Sequence, residues 1–259
     1  MKTRISLKFR KLKTEGGKAF IPYIMAGDPS LEKTKEVVLL FEECGADIVE
    51  LGVPFSDPLA DGPTIQRAAE RALQNGVTLR KVVSFVREMR QLTQIPLVLM
   101  TYYNPVFKYG LDAFVADAVN AGVDGVIIPD LPPDEADDLM KLSRKSGLDT
   151  IFLLAPTSTE ERIKKVARSA SGFIYYVSIT GITGSGLQLD GSMETLLSNI
   201  RKHSEKPIAV GFGISTPEDA FAIAKISDGV IVGSAIVKKL YESPDELKEF
   251  IKGLRQAIQ

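Results

Sequence analysis

Cysteine, histidine and tryptophan are almost missing from this chain, which has one cysteine, one histidine and no tryptophan. A single cysteine, Cys44, excludes an intramolecular disulfide framework and a cysteine-based zinc site. The single histidine, His203, lies in a polar run that is typical of a helix C-terminus. Ser-His-Asp hydrolysis and a multi-histidine metal centre are therefore disfavoured. We expect no metal, and we expect carboxylates, tyrosines or lysines to carry any acid–base chemistry.

An excess of charge of one sign and a long apolar run are also missing. The chain has 32 basic and 33 acidic residues, for a formal net charge of −1. This balance gives no indication of binding to nucleic acid or to an anionic membrane. No apolar run reaches the length of a membrane span, and the basic N-terminus lacks the apolar segment of a secretory signal. We expect a cytoplasmic protein.

Short apolar runs alternate with helical patterns along the whole chain. Several runs, such as Leu97–Met100, are apolar at consecutive positions, which is typical of a parallel sheet covered on both faces. The eight predicted strands are Ala19–Met25, Asp47–Leu51, Leu97–Thr101, Gly125–Pro129, Thr150–Leu154, Gly172–Val177, Ile208–Gly211 and Gly229–Val232. Eight such units in 259 residues predict an α/β fold, a single-domain (β/α)₈ TIM barrel.

The predicted barrel forms one domain over residues 1–259, with an extra N-terminal helix in residues 1–14 before the first strand. That helix has Ile5, Phe9 and Leu12 on one face. An open doubly wound sheet is the alternative, although its first strand-to-helix turn, Ala26–Pro29, carries no phosphate fingerprint. In a barrel, the functional site lies at the carboxyl ends of the strands.

Two carboxylates mark the second unit of this pattern. Glu50 lies near the end of a predicted strand, and Asp61 follows in a loop that is too rich in proline to be helical. A carboxylate on a rigid strand with another on the loop above it is a layout suited to acid–base chemistry. A solvated loop anchor remains an equal alternative from this stretch alone.

Three glycine-rich turns follow the last three predicted strands, at Thr180–Gly186, Gly211–Ser215 and Gly233–Ile236. Glycine lets backbone N–H groups close on an anion, and a helix N-terminus adds a favourable dipole. The loops after the seventh and eighth strands of a barrel are the recurrent phosphate position. These turns predict a phosphorylated substrate, and their spacing does not match a nucleotide triphosphate loop.

With these residues assembled, the chain resembles the α subunit of tryptophan synthase along nearly its full length. The most specific motif is Pro54–Pro63. The other matching segments are Met100–Pro105, Asp124–Pro132, Gly181–Gly184, Gly211–Ile214 and Gly233–Val237. The resemblance implies an aldolase-type carbon–carbon lyase of tryptophan biosynthesis that cleaves indole-3-glycerol phosphate to indole and glyceraldehyde 3-phosphate.

The resemblance also implies roles for individual residues. Glu50 matches the general acid/base, Asp61 the carboxylate that holds the indole N–H, and Tyr175 a tyrosine near the acid–base group. The phosphate contacts match Gly184, Gly213, Gly233 and Ser234. The indole pocket matches Tyr23, Met100, Tyr102, Ile127, Pro129, Leu153 and Phe212, for whose apolar members ordinary barrel core is an equal alternative. Tyr176 points away if the register of Tyr175 is right.

A partner is implied by the same resemblance. It is a β subunit that carries pyridoxal phosphate, joins this chain in an α₂β₂ complex and receives indole through a tunnel, while this chain itself needs no cofactor. Pro54, Asp57 and Thr183 match the loops that close over substrate and couple allosterically to the partner. The segment Gly184–Leu189 lacks the charged residue often found there, and Pro129 stands where a small residue is usual.

Three other functions remain open at this stage. The chain fits a stand-alone lyase that releases free indole, or a regulatory subunit that binds sugar phosphate without cleaving it, against which intact Glu50 and Asp61 argue. A different phosphosugar barrel, such as an epimerase or an indoleglycerol phosphate synthase, would need metal ligands or a catalytic lysine at a strand end.

Overall fold

Eight parallel strands close into a barrel in which each strand pairs with the next and the last pairs with the first. The computed structural model describes residues 2–177, 191–211 and 213–259. The strands are β1 (Ala19–Met25), β2 (Val49–Gly52), β3 (Leu97–Met100), β4 (Gly125–Ile127), β5 (Asp149–Leu154), β6 (Ile174–Val177), β7 (Ile208–Gly211) and β8 (Gly229–Val232). The predicted TIM barrel is confirmed, and the open sheet is wrong.

Helices surround the barrel. They are α1 (Arg4–Glu15), α2 (Leu31–Glu43), α3 (Pro63–Gln74), α4 (Leu79–Met89), α5 (Tyr103–Tyr109), α6 (Leu111–Ala121), α7 (Asp137–Ser146), α8 (Glu160–Ser169), α9 (Ser192–His203), α10 (Pro217–Ile226), α11 (Ser234–Glu242) and α12 (Leu247–Ile258). Side-chain caps fix several starts, as Ser30 accepts the backbone N–H of Lys33 and Thr216 accepts that of Asp219. The described part of the chain contains no helix long and apolar enough to cross a membrane.

The N-terminal helix α1 closes the bottom of the barrel. Ile5, Phe9 and Leu12 are buried on one face, as predicted, and they join the side chains that fill the barrel interior. The Phe9 ring lies 5.7 Å from the Phe173 ring, centroid to centroid. The helix begins at Arg4 because Thr3 caps it, and the Thr3 hydroxyl also donates to Asp149 at 2.6 Å. The floor of the barrel is therefore apolar.

A repeated pair of hydrogen bonds ties the strands together two by two at this lower rim. The backbone N–H of Asp47 donates to the carbonyl of Phe20, and the Asp47 carboxylate accepts the N–H of Phe20. The same reciprocal pair recurs between Asp124 and Leu97, Ser171 and Thr150, and Asp228 and Ile208. Each even-numbered strand is thus fastened to the odd-numbered strand before it. The N–H of Phe20 is bound by the Asp47 side chain and not by a backbone carbonyl. The backbone pairing of β2 therefore begins at Val49 and not at the predicted Asp47.

The strand registers decide which interior side chains share a level. Tyr23 pairs with Glu50, Glu50 with Val98, and Val98 with Gly125. In a tilted eight-stranded barrel the four side chains of one layer come from alternate strands. We therefore assign Glu50, Ile127, Tyr175 and Ile231 to one layer, from the four even-numbered strands. Glu50 and Tyr175 face each other across the barrel.

Candidate active site

Glu50 is a carboxylic acid in the buried interior of the barrel. Its side chain is buried, and neither carboxyl oxygen has a hydrogen-bond partner among the described residues. Burial raises the pKa of Glu50 to about 8, and the nearby charge of Asp61 adds to the effect. A carboxylic acid with this pKa keeps its proton at neutral pH and can donate it to a substrate.

Asp61 lies on the loop between β2 and α3 and is half-buried. Burial raises its pKa to about 6, while hydrogen bonding to the Tyr102 hydroxyl lowers it. The loop is held at this point because the N–H of Asp61 donates to the carbonyl of Pro58 and the Gln66 amide donates to the carbonyl of Asp61. Near neutral pH, the site therefore pairs a protonated Glu50 with an ionised Asp61.

Two tyrosines face these carboxyl groups from opposite sides. Tyr175 is buried within the barrel interior, whereas Tyr176 packs on the outer face of β6, so the predicted register is confirmed. Tyr23 is the register partner of Glu50 on β1. Burial, followed by the charges of Asp61 and Glu50, raises the pKa of Tyr23 well above its ordinary value, and burial and the same two carboxyl groups raise that of Tyr175.

Both tyrosines need a glycine on the next strand, a role that the sequence analysis missed, because it considered Gly211 only as part of an anion-binding turn. The Tyr23 hydroxyl occupies the space of a Cβ atom on Gly52, and the Tyr175 hydroxyl lies 2.5 Å from the Cβ position of Gly211. Each glycine lies two residues beyond the register partner of its tyrosine. Glycine at the last position of β2 and of β7 was the available signal, but only the register reveals its use.

The predicted indole pocket is mostly brought together. Ile127 is buried in the barrel interior, Met100 and Leu153 are partly buried against it, and Pro129 lies in the turn after β4. Tyr102 is buried directly after β3 and its ring stacks on Phe55, with the centroids 5.2 Å apart. Phe212 lies outside the described residues. The described members on this side therefore lie on the neighbouring strands β3, β4 and β5 or in the turns that follow them.

The predicted phosphate contacts lie after the last two strands. Gly213 has φ +75°, a left-handed conformation that favours glycine. Gly233 precedes α11, no side chain caps that helix, and Ser234 is its first residue. The first backbone N–H groups of a helix have no intrahelical partner and attract anions. We call the space among Glu50, Asp61, Tyr23 and Tyr175 the slot. A Cβ on Gly233 would touch the Tyr23 ring at 3.4 Å, so the start of α11 adjoins the slot. Gly184 lies outside the described residues.

The loop after β2 projects from the carboxyl-terminal mouth. Pro54 is buried at its base, where the N–H of Val53 donates to the carbonyl of Met100. Asp57 is exposed and accepts the Ser56 hydroxyl at 2.8 Å, and Leu59 is 94% exposed. Thr183 lies outside the described residues. The loop thus joins Asp61 to a solvent-facing apolar tip.

The remaining chemically active residues lie away from this mouth. His203 ends α9 and its Nε2 is 3.8 Å from a carboxylate oxygen of Glu160, as expected for a helix C-terminus. Cys44 is buried at the end of α2. Within residues 2–177, 191–211 and 213–259, no three histidine, cysteine or acidic side chains are grouped to hold a metal ion.

Comparison with known proteins gives one consistent result. Residues 9–259 match the family model described as tryptophan synthase alpha chain. A tryptophan synthase alpha chain from Geotalea uraniireducens (strain Rf4) is 52% identical, over 99% of this chain and 97% of the relative. The solved subunit alpha from Legionella pneumophila str. Paris is 40% identical, with a TM-score of 0.92 over 100% of this chain and 99% of that one. Tryptophan synthase from M. tuberculosis, in its aminoacrylate-bound form, is 36% identical, with a TM-score of 0.91 over the whole of both chains.

Proposed function

The chain belongs to the tryptophan synthase alpha chain family, and from this premise we propose how its residues carry out the family's lyase reaction. That reaction is the retro-aldol cleavage of indole-3-glycerol phosphate to indole and glyceraldehyde 3-phosphate. The observation that carries the proposal is that Glu50 is buried beside Asp61 with neither of its carboxyl oxygens hydrogen-bonded among the described residues. Glu50 has a pKa of about 8 and Asp61 a pKa of about 6, in one slot.

Glu50 transfers the proton in both halves of the reaction. The protonated acid first donates to C3 of the indole ring, which becomes an indolenine. The Glu50 carboxylate then takes the proton of the glycerol hydroxyl next to C3. As the bond between C3 and the carbinol carbon breaks, its electron pair returns to the ring, which leaves as indole. Glu50 ends the cycle with its proton restored.

Asp61 stabilises the charge that appears on the ring. Its carboxylate accepts a hydrogen bond from the indole N–H, which becomes more acidic when C3 is protonated. An ionised group in a water-excluded site stabilises such a charge more strongly than it would in water. Tyr175, opposite Glu50 in the same layer, orients the reacting groups. The apolar side of the slot, from Met100 to Leu153, receives the indole ring.

The phosphate of the substrate binds at the same mouth of the barrel, on the side formed by the ends of β7 and β8. Gly213, Gly233 and Ser234 offer backbone N–H groups there, together with the start of α11. Gly184 and Phe212 complete this proposal from the sequence. The ring supplies the electron sink for bond cleavage, so we assign no cofactor to this chain.

The partner of this chain is a tryptophan synthase β subunit, as the family name implies. We propose that it carries pyridoxal phosphate, receives indole and assembles with this chain as α₂β₂. The loop from Pro54 through Asp57 and Leu59 to Asp61, together with Thr183, couples the two sites, and the exposed Leu59 supports contact with a partner at this mouth. A cytoplasmic location fits a doubly charged phosphate ester, which cannot cross a membrane unaided.

Incubation of the purified chain with indole-3-glycerol phosphate, with and without a β subunit, tests the proposal by the release of indole. Glu50→Gln should abolish release, whereas Glu88→Gln, an exposed acid on α4, should leave it unchanged. Cleavage that survives Glu50→Gln would favour a regulatory subunit. Turnover that does not rise when the β subunit is added would favour the stand-alone lyase.

A further inference from the structure

Tyr102 makes three contacts with one loop. Its ring stacks on Phe55 at 5.2 Å, its hydroxyl oxygen accepts the backbone N–H of Ala60 at 2.9 Å, and the same hydroxyl interacts with the carboxylate of Asp61. These contacts reach the loop at its beginning and at its end. Tyr102 itself is buried directly after β3, so it offers a fixed point to a loop that carries exposed residues.

The sequence analysis assigned Tyr102 to the wall of the indole pocket through the resemblance. To line the indole pocket, Tyr102 needs only its apolar ring. The hydroxyl oxygen accepts the N–H of Ala60, the residue next to Asp61. A hydroxyl that accepts one hydrogen bond still has its own proton to donate, and the pKa of Asp61 is lowered by hydrogen bonding to this hydroxyl. The geometry therefore gives the oxygen atom of Tyr102 a use that pocket lining does not require.

We propose that Tyr102 is a positioning residue for Asp61, whose hydroxyl fixes the end of the β2–α3 loop and keeps the Asp61 carboxylate aimed into the slot. This inference rests on the proposed function of Asp61. The ring fixes the beginning of the loop through Phe55, and the hydroxyl fixes Ala60 and Asp61. Loss of the hydroxyl alone should therefore release the catalytic end and leave the base of the loop in place.

The hydroxyl also affects when Asp61 ionises. Hydrogen bonding from Tyr102 lowers the pKa of Asp61, against the burial that raises it. The charged or titratable groups that face this pair are Glu50 from β2, Tyr23 from β1, Tyr175 from β6 and Asp130, which follows β4. All four of these groups are acids, which become neutral or negatively charged and give Asp61 no positive partner. The Tyr102 hydroxyl differs from them because its hydrogen bonding favours the ionised form of Asp61.

Tyr102→Phe tests the proposal, because it keeps the ring and removes the oxygen. The first readout is a carbon-13 NMR titration of the aspartate carboxyls, with the Asp61 signal identified by its absence in Asp61→Asn. We expect the pKa of Asp61 to rise in Tyr102→Phe. The second readout is kcat/KM for cleavage against pH. Its acid limb should move to higher pH, so that activity at pH 6 falls about tenfold more than activity at pH 8.

Tyr109→Phe is the matched control. The Tyr109 hydroxyl donates to Asp117 at 2.7 Å, which makes a second tyrosine–aspartate pair, formed between α5 and α6. It should leave the Asp61 titration and the pH profile unchanged. Phe55→Leu, which keeps the hydroxyl, should move the Asp61 titration less than Tyr102→Phe does.

An Asp61 titration that is the same in Tyr102→Phe and in the unmodified chain would overturn the proposal. So would an equal loss of activity at every pH, which would assign the hydroxyl to substrate contact. These outcomes are separate from failure of the proposed function, which would appear as cleavage that survives Asp61→Asn. The NMR titration reports on the Tyr102–Asp61 pair whether or not Asp61 is needed for cleavage.

Discussion

A Cβ atom on Gly52 would overlap the hydroxyl oxygen of Tyr23. Gly52 ends β2 two residues after Glu50, and Tyr23 is the register partner of Glu50 on β1. The absence of a side chain at one position is therefore what allows the tyrosine to extend over the end of the neighbouring strand β2. The shape of the space above Glu50 depends on this pair.

Gly52→Ala should displace Tyr23 and lower kcat/KM for cleavage by about a hundredfold, since a shift of about 1 Å in a reacting site has that effect. Overpacking should also cost about 1–3 kcal/mol of unfolding free energy. Steady-state kinetics and chemical denaturation measure the two effects. Gly62→Ala is the control, because a Cβ there would meet no atom within 4 Å. Adding Tyr23→Leu should restore stability to Gly52→Ala, and failure to do so would contradict the steric explanation.

Glu50→Gln should be more stable than the unmodified chain above pH 5, with a difference that grows as the pH rises. The pKa of Glu50 is raised by folding to about 8, whereas an unfolded glutamate ionises near pH 4.3. Between these values the unfolded chain loses the proton and the folded chain keeps it, so stability falls with rising pH. Each tenfold change in proton affinity corresponds to about 1.4 kcal/mol, so the gain should reach several kcal/mol near pH 8. Denaturation of both proteins at pH 5, 6.5 and 8 measures it, and a difference independent of pH would contradict the assignment.

The rate of cleavage should depend on pH as a bell, with limbs near pH 6 and pH 8. Activity requires Asp61 ionised and Glu50 protonated, and the two apparent values belong to the coupled pair. Asp61→Asn should lower kcat strongly and remove the acid limb from the residual activity. Its alkaline limb should move to lower pH, because the Asp61 charge no longer raises the pKa of Glu50. An alkaline limb that stays in place would show that the two groups do not interact.

Asp124→Ala should lower the unfolding free energy by about 3–5 kcal/mol without changing KM. The Asp124 carboxylate pairs with Arg90 at 2.6 Å and with Arg4 at 2.9 Å, and it accepts the N–H of Leu97. Its removal leaves the buried Arg90 charge without its carboxylate partner. The lower rim of a barrel serves stability and not catalysis, so the folded enzyme should keep its activity. Asp138→Ala, which removes an exposed pair with Lys141, should change stability by less than about 0.5 kcal/mol.

The sequence predicts the frame of this molecule well, because a buried parallel strand is apolar at consecutive positions. The bounds of β1, β7 and β8 agree with the prediction residue for residue. The helix α5 was not predicted. It is seven residues long, buries only Val106 and therefore has no apolar period, and its first N–H is bound by Asp130 from the turn after another strand. Such a helix is set by the fold and not by its own sequence.

The candidate site divides in the same way. Glu50 and Asp61 could be placed at the mouth because a strand end and a proline-rich loop are readable along the chain. The pairing of Tyr23 with Gly52 depends on the register between two strands, and that register is not encoded in either strand alone. The use of the Tyr102 hydroxyl depends on where a loop of β2 returns over β3. Neither relationship can be predicted without the three-dimensional arrangement of the strands and loops.

The reciprocal hydrogen bonds that fasten the strands two by two have one further consequence. They group the eight strands into four pairs, each joined by hydrogen bonds at its base. All four sets of hydrogen bonds lie at the end of the barrel away from the proposed substrate site. The loop bearing Asp61 follows β2, at the end of its strand pair away from these hydrogen bonds. Changes in the length or sequence of this loop can therefore leave the bases of all four strand pairs intact.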